Sequence, residues 1–507
     1  MLLLTPEQMR AVDASAGEDG SPALMRSAGA RVAEIARQYA RRGPIVAFAG
    51  TGNNGGDAFA ALMELAPSFE CVVYTETASA PSPARAAAEL AARTAGVRFE
   101  TLPADAASAR SAMAECGLVL DGLLGIGSRL PLPPKYEPLV RAMNGATAPV
   151  LAIDVPTGVD ALTGAAGHLA VCARVTVTLG AAKPGLLLEP GRDHVGELWV
   201  ADIGLPANAL EVQRPLFAAV DGDALLDLLP QRPADADKRG AGAPLLIAGS
   251  QQFPGAAVLC ARGAARAGAG YVTIATTQHA AGAVRAHLIE QVVLALDDER
   301  SVDQCVQELL DAARHATSAG IGPGLGLDER TGAIVRGFVQ QVDLPFVADA
   351  GALFHFAKHL EILRGKRCVL TPHAGEFARL SGKGTVATGE RVERLREFVD
   401  RTGVTTLLKG RTTLIYDGVT MHVNTSGNPA LATAGTGDVL TGIIATLLAQ
   451  GLAPVDAARA GAYWHGLAGK YCAEHRRVGV IAGDLPEALA SALPGRSARE
   501  ARVRREF

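Results

Sequence analysis

At 507 residues the chain is too long for one ordinary domain, and two or three are expected. It is 49% apolar but only 4% aromatic and rich in Gly and Ala, which suits closely packed α/β layers, and its formal charge of −4 offers no basic footprint for nucleic acid. Seven cysteines lie scattered without a CxxC pair, as in a reducing compartment rather than a disulfide or zinc framework, and with no basic n-region in MLLLTPEQMR and no stretch of ~18 unbroken apolar residues, a cytoplasmic protein without a membrane segment is expected.

Thr5-Pro6-Glu7 reads as N-cap, N1 and first-turn acid of a helix running through Met9 and Val12, and a second helix is expected around 24–39. Residues 45–49 form a buried strand ending in Gly50-Thr51-Gly52-Asn53-Asn54-Gly55-Gly56-Asp57, with an Ala/Leu helix after it. Strand, glycine loop and helix together aim backbone amides at a phosphate on the carboxyl edge of a parallel sheet, although the spacing is not GxGxxG. Further strands are expected at 71–74, 118–120, 150–153 and 175–179, two of them ending in carboxylates, Asp121 before GLLGIG and Asp154 before VPTG. Each Asp alone is more often a turn-former, and Asp154 before Pro156 also reads as an Asx-turn residue. Three polar-tipped strand ends in one sheet favour a site.

These motifs, GTGNNGGD at 50–57, DGLLGIG at 121–127 and IDVPTGVD at 153–160, resemble the N-terminal domain of NAD(P)H-hydrate epimerases over roughly 5–206. The resemblance implies a Rossmann-like three-layer α/β/α sandwich that exchanges the R and S hydrates. It implies potassium ligands at Asn54, Asp121 and Thr157, an oxygen-only set that suits a hard cation. Substrate contacts would come from Asn53, Asn54, Gly55, Gly56 and Asp57, from Gly125, Ile126, Gly127, Ser128, Arg129, Leu130 and Pro131, and from Asp154, which would also be the catalytic proton carrier. Thr51, Ala58 and Arg26 depart from the family pattern.

Prolines and charges cluster at 230–239, so the first domain is placed at 1–213, a linker and domain opening at 214–242, and a second domain at 221–494. Strands expected at 244–248, 271–275, 291–296 and 346–348 alternate with Ala-rich helices, which implies a mainly parallel sheet covered on both faces. The loops of the two halves do not match, which argues against internal duplication. Four loops carry the second chemistry: 320–326 (GIGPGLG), 371–376 (TPHAGE), 409–413 (KGRTT) and the stretch 424–450, NTSGNPALATAGTGDVLTGIIATLLAQ. In the last, Val439, Leu440, Ile443, Ile444, Leu447 and Leu448 recur at spacings of three and four, so a buried helix starts near Asp438. The amides around Gly435 and Gly437 at a helix N-terminus favour an anion, and Asp438 can take a proton from a hydroxyl about to attack phosphate. Taken singly, GTGD reads equally as a capped turn, His373 as a structural histidine and Lys409 as a solvated strand end.

Together the four loops closely resemble the ribokinase-like NAD(P)H-hydrate dehydratases over about 221–493. The resemblance implies that Ala256, Gly324, His373 and Asp438 meet the hydrate, with Asp438 as catalytic base. Lys409, Gly410, Arg411, Thr412 and Thr413, with Gly435, Thr436 and Gly437, would hold an adenine nucleotide, ADP or ATP, with Mg2+ bridging its phosphates. Asp237-Lys238-Arg239 and Asp349-Ala350-Gly351-Ala352-Leu353 depart from the family's HKG and DADAL. The whole chain thus reads as a bifunctional nicotinamide-nucleotide repair enzyme whose partners are NADH hydrate, NADPH hydrate and an adenine nucleotide, and a homo-oligomer is expected. The alternatives are a ribokinase-like small-molecule kinase fused to a nucleotide-binding domain, or a nucleotide sensor without turnover. The Arg-rich tail from 495 onward reads as solvated or frayed.

Overall fold

The computed structural model describes the chain apart from residues 16, 128–129, 207–208, 211–213, 215, 233–234, 236, 477, 496–502 and 506–507. It divides into two compact units, one of Leu2–Phe217 with Ala498–Phe507 and the other of Met1 with Ala218–Ser497. No helix among the described residues is long and apolar enough to cross a membrane.

The N-terminal unit opens with α1 (Pro6–Ser15), where Thr5 and Gln8 exchange side-chain bonds to each other's backbone N–H, and α2 (Gly17–Tyr39). β1 (Ile45–Ala49), α3 (Asn53–Leu65), β2 (Cys71–Thr75), α4 (Pro83–Thr94), β3 (Arg98–Thr101), β4 (Leu118–Gly122), β5 (Val150–Ile153), β6 (Val175–Leu179) and β7 (Glu197–Ala201) follow. The strands lie in the order β3-β2-β1-β4-β5-β6-β7 and are parallel throughout. The chain winds outward from β1 in one direction and from β4 in the other, so the crevice between their carboxyl ends is the topological switch point. All five residues of β1, β4 and β6 are buried, β1 as a continuous apolar run, β4 with Asp121 and Gly122 at its end, and β6 alternating valine with buried threonine. β3 is mostly exposed and therefore has no such run to betray it. Val503–Arg505 pairs antiparallel with β7, Val503 opposite Ala201, where a solvated tail was expected. An open sheet edge offers unpaired N–H and C=O groups to any extended segment, whatever its side chains.

The C-terminal unit carries β8 (Pro244–Ile247), α5 (Pro254–Arg266), β9 (Thr273–Thr277), β10 (Val292–Leu296), β11 (Ser318–Ile321), β12 (Phe346–Ala348), β13 (Cys368–Leu370), α6 (Ala374–Ser381), β14 (Thr405–Leu408), β15 (Thr413–Tyr416), β16 (Met421–Asn424), α7 (Thr436–Ala449) and α8 (Pro454–His475). These strands run β10-β9-β8-β11-β12-β13-β14-β15-β16, parallel as far as β14 and antiparallel at β15 and β16. The closing hairpin turns at Asp417-Gly418, where the Asp417 carboxylate accepts from Val419 and Thr420 N–H; this Asp-Gly signal was passed over in the sequence. On α7, Val439, Ile443, Ile444, Leu447 and Leu448 are buried in one core with Leu246, Ile274 and Val347. A helix apolar on all sides belongs in such a core. α7 also presses against α5: a Cβ at Gly442 would stand 2.0 Å from the Cys260 carbonyl, so any side chain there would force the helices apart.

Candidate active sites

At the N-terminal switch point β1 and β4 run side by side, with Phe48 opposite Asp121. A cavity of about 610 Å³ opens there. Asn53, Asn54 and Asp57 reach it from the start of α3, Gly125 to Gly127 from the loop after β4, and Asp154 from the end of β5. Gly55 and Gly56, expected to touch substrate, are instead buried in the first turn of α3. Gly55 packs on the Gly50 carbonyl and Gly56 on Met25 and Arg85, close contacts that bring the polar residues of this turn to the cavity. Ser128 and Arg129 lie outside the described residues, and Leu130 and Pro131, joined by a cis peptide bond, do not line the cavity.

Asn54, Asp121 and Thr157 form one connected group. Asp121, fully buried, accepts from the Thr157 hydroxyl (2.7 Å) and N–H (2.8 Å) and from Leu123 N–H. The Thr157 oxygen accepts from Leu124 N–H, and the Asn54 amide donates to the Leu124 carbonyl at 3.0 Å. Burial still pushes the Asp121 carboxyl up to about 6, because these hydrogen bonds offset only part of the desolvation. The Asn54 Oδ1 is buried with no hydrogen-bond partner.

Asp154 has a backbone φ of 66°, a left-handed conformation that costs of order 1–3 kcal/mol in a residue with a side chain. Its carboxylate does not close its own turn. It reaches β6, accepting from the Thr178 hydroxyl, Leu179 N–H and, at 2.5 Å, Lys183 Nζ. Lys183 is 1% exposed and also donates to Thr178 Oγ1 and the Leu179 carbonyl. A buried ammonium of this kind persists only when paired and hydrogen-bonded. Asp57 lines the same cavity, and burial, Asp154 and Asp13 push its carboxyl well above the ordinary range against the opposing pull of Lys183. One carboxylate is thus held by a cation while burial drives its neighbour toward the neutral acid.

In the C-terminal unit α7 is entered through Gly435 at φ 93°, a conformation glycine adopts without cost, and Asp438 falls in the helix's first turn. Burial and then the charge of Asp349 push the Asp438 carboxyl up to about 7, with Lys409 opposing. Lys409, at the end of β14, sends Nζ to Asp349 at 2.7 Å, and Asp349 also accepts from the Thr441 hydroxyl. Glu376 Oε2 lies 3.9 Å from the same Nζ. His373 joins this group only indirectly. It caps α6, its Nδ1 accepting from Gly375 and Glu376 N–H while Glu376 accepts from its own N–H, and the exposed ring leaves Nε2 3.6 Å from Glu376. Ala256 stands in the first turn of α5 beside Gly324. The Gly324 loop is tied to the Asp349 loop by Gly351 N–H donating to the Gly322 carbonyl.

A second cavity, of about 420 Å³, adjoins this cluster. Lys409, Gly410, Arg411, Thr413, Thr436 and Gly437 line it; Thr412 is fully buried, and neither it nor Gly435 reaches the wall. The Asp237-Lys238-Arg239 segment closes a tight turn on the Asp237 carboxylate, with both cations over the Tyr271 ring.

Four residues of these sites were missed in the sequence: Asp13, Lys183, Asp349 and His465. Asp13 and Lys183 line the first cavity and His465 the second. Lys183 offered a faint signal, a lone cation next to the apolar strand 175–179 and ahead of Pro184. Asp349 was visible only as an altered motif, and its neighbour Ala350 holds φ 47° where a residue with a side chain is strained.

The family model for NAD(P)H-hydrate dehydratase matches residues 244–491, and that for the YjeF-related protein N-terminus matches 21–185. The chain is 35% identical to a bifunctional NAD(P)H-hydrate repair enzyme of Pyrobaculum aerophilum, with 96% of this chain and 97% of the relative covered. It is 36% identical to the one of Salinibacter ruber, with 95% and 94% covered. Among solved structures it is similar to an ADP/ATP-dependent NAD(P)H-hydrate dehydratase from Bacillus subtilis, co-crystallised with ATP and Mg2+, at 32% identity over 54% of this chain and 96% of that one, TM-score 0.49. At this identity over nearly the full length of its relatives, the chain belongs to the family of bifunctional NAD(P)H-hydrate repair enzymes.

Proposed function

We propose that the N-terminal unit interconverts the R and S hydrates of NADH and NADPH, and that the C-terminal unit dehydrates the S form with ADP or ATP as phosphoryl donor. The observation that carries this reading is Asp438, a half-buried carboxyl with a pKa of about 7 at a helix N-terminus, beside the Lys409–Asp349 pair and next to a nucleotide-sized cavity.

In the dehydratase, ionised Asp438 accepts the proton of the 6-hydroxyl as its oxygen takes the phosphoryl group from the nucleotide. The hydroxyl has then become a phosphate, a far better leaving group. The ring nitrogen expels it, and loss of a C5 proton restores the double bond. Lys409, with its own charge partly balanced by Asp349, lies where transferred negative charge accumulates. Among the described residues no three His, Cys, Asp or Glu side chains group to hold a metal. Magnesium would therefore arrive with the nucleotide, held mainly by phosphate oxygens and water, and would neutralise charge on them.

In the epimerase, Asp154 takes the proton of the 6-hydroxyl and neutral Asp57 supplies one to the ring nitrogen, so that the ring opens and recloses on either face. Potassium fits the site beneath: Asn54 Oδ1 lacks a partner, and Asp121 receives only neutral donors. Asn54, Asp121 and Thr157 would hold the ion, which would neutralise Asp121 and fix the loop after β4. The reading also carries a cytoplasmic, self-associating enzyme; all seven cysteines are free thiols, as a reducing compartment keeps them.

The deciding experiment mixes protein, magnesium, potassium and an R/S mixture of NADH hydrate, adds ADP or ATP, and follows the return of reduced-nicotinamide absorbance. Full recovery with one phosphate released per NADH supports both activities. Recovery of the S fraction alone removes the epimerase, and no recovery with either nucleotide moves the reading to a small-molecule kinase.

A further inference from the structure

Three carboxylates are found among the described residues that line the N-terminal cavity, and two of them are taken up in the proposed exchange. Asp154 is bonded to Lys183, Thr178 and Leu179, and Asp57 is the proposed proton donor. The third, Asp13, comes from α1. Met9 and Asp13, four residues apart, share one face of this helix, and both line the cavity. Met9 and Val12 pack with Leu4 and Ala181, and Leu4 N–H donates to the Ala182 carbonyl at 3.0 Å, so α1 rests on the turn that leads to Lys183. Among the described residues Asp13 has no hydrogen-bond or ion-pair partner, and it is exposed, which leaves its oxygens open to a ligand. Desolvation is still the largest influence on its carboxyl and pushes it up, while Lys183 draws it down and Asp154 raises it. Asp13 therefore shares the space of the reacting pair.

An unpaired acceptor on a cavity wall suits an N–H donor of the ligand, and a carboxyl keeps an accepting oxygen in either protonation state. Apart from the reacting hydroxyl, the hydrated nicotinamide ring offers one such donor, the carboxamide NH2 at C3, across the ring from C6. We propose that Asp13 accepts a hydrogen bond from the carboxamide N–H of the hydrated nicotinamide and so positions the ring for epimerisation. The carboxamide is the polar group that keeps its structure while the ring opens and recloses. With C3 held, C6 can turn and present either face to the ring nitrogen without the open form leaving the site. A substituent that lacks the N–H would leave Asp13 without its partner and the ring without its pivot.

The inference rests on the epimerase reading, and the test separates the two. Exchange in the full chain is started from one pure epimer without nucleotide, so that dehydration is silent, and is followed by chromatography. The substrates are NADH hydrate and the hydrate of the reduced 3-acetylpyridine analogue, in which a methyl group replaces the carboxamide NH2. Each kcat/KM is divided by that substrate's spontaneous rate. The wild-type value should be about 10- to 100-fold lower for the acetyl analogue, the range for losing one hydrogen bond to a carboxylate. Asp13→Ala should lower NADH hydrate by a similar factor while leaving the analogue within about threefold of its wild-type value, which closes the gap. Asp13→Asn, which keeps an accepting oxygen, should retain most of the preference. A merely structural role would lower both substrates alike, so equal loss in Asp13→Ala overturns the inference. Wild-type protein that treats the two substrates equally overturns it as well, and that comparison needs no variant to fold. No exchange of NADH hydrate above the spontaneous rate in the wild type overturns the epimerase reading and the inference with it.

Discussion

The two units wind their sheets in the same sense, outward from a first strand and then outward from a fourth, yet they place their working carboxylates on opposite electrostatic footings. Asp154 is gripped by a buried lysine and two further donors from the end of β6. Asp438 has a lysine nearby, but that lysine is already engaged by Asp349, and burial first and then the charge of Asp349 push Asp438 up to about 7. The difference gives the two proposed proton transfers different electrostatic settings. Where the cation belongs to the carboxylate, the two form a buried, hydrogen-bonded pair. Where a second carboxylate claims the cation, the first is left near the pKa a general base needs at neutral pH.

The sharpest way to break this comparison is to remove each carboxylate in turn. Asp438→Asn should lower dehydration of pure S hydrate by about 10³-fold or more while sparing ADP binding and R-to-S exchange, read by absorbance, calorimetry and chromatography of the epimers. Asp154→Asn should do the reverse, slowing exchange by about 10²-fold or more and leaving dehydration of S hydrate intact. Equal loss of both activities in either variant would dissolve the assignment of one carboxylate to each reaction.

A smaller effect tests the grip on Asp154. Lys183→Met strips a buried carboxylate of its cation and should cost about 3 kcal/mol, measured by denaturant unfolding of the N-terminal transition. The pH dependence then sharpens the contrast. Dehydration needs ionised Asp438, so its kcat/KM should fall as pH drops through about 7. Asp349→Asn removes a like charge and should move that limb to lower pH, whereas Lys409→Met should move it higher. Because the folded pKa is raised, the fold favours neutral Asp438. That contribution to stability is full below the unfolded value and is lost as pH rises through about 7. In Asp438→Asn the corresponding slope should vanish. The smallest expected change is Ala350→Gly, which relieves a left-handed alanine and should stabilise the C-terminal unit by about 1 kcal/mol in the same unfolding measurement.

Much of both sites was legible because it lies in contiguous loops. NNGGD, the Asp at the end of β4, KGRTT and GTGD each mark a strand end or helix start where backbone geometry alone brings polar atoms to a sheet edge. Lys183 and Asp349 were not legible in this way. Lys183 reaches Asp154 across 29 residues, and Asp349 meets Lys409 across 60. His373 shows a different side of this: its motif was conspicuous, and the structure adds that the ring's Nδ1 caps α6. The glycines of NNGGD likewise divide, since Gly55 and Gly56 serve packing while the residues beside them face the cavity.

By itself the sequence determined the α/β class, the strands of both sheet centres and the buried helix after GTGD, and it pointed to the two carboxylates proposed for the chemistry. Hydrophobic periodicity and glycine-bounded turns are local, and local patterns survive in one dimension. Only the tertiary structure decided which cation each carboxylate meets, which strands close the sheet edges, and that a buried histidine, His465, borders the second cavity. Charge pairing, burial and hydrogen-bond satisfaction depend on distance in space, and residues remote in the chain supply them.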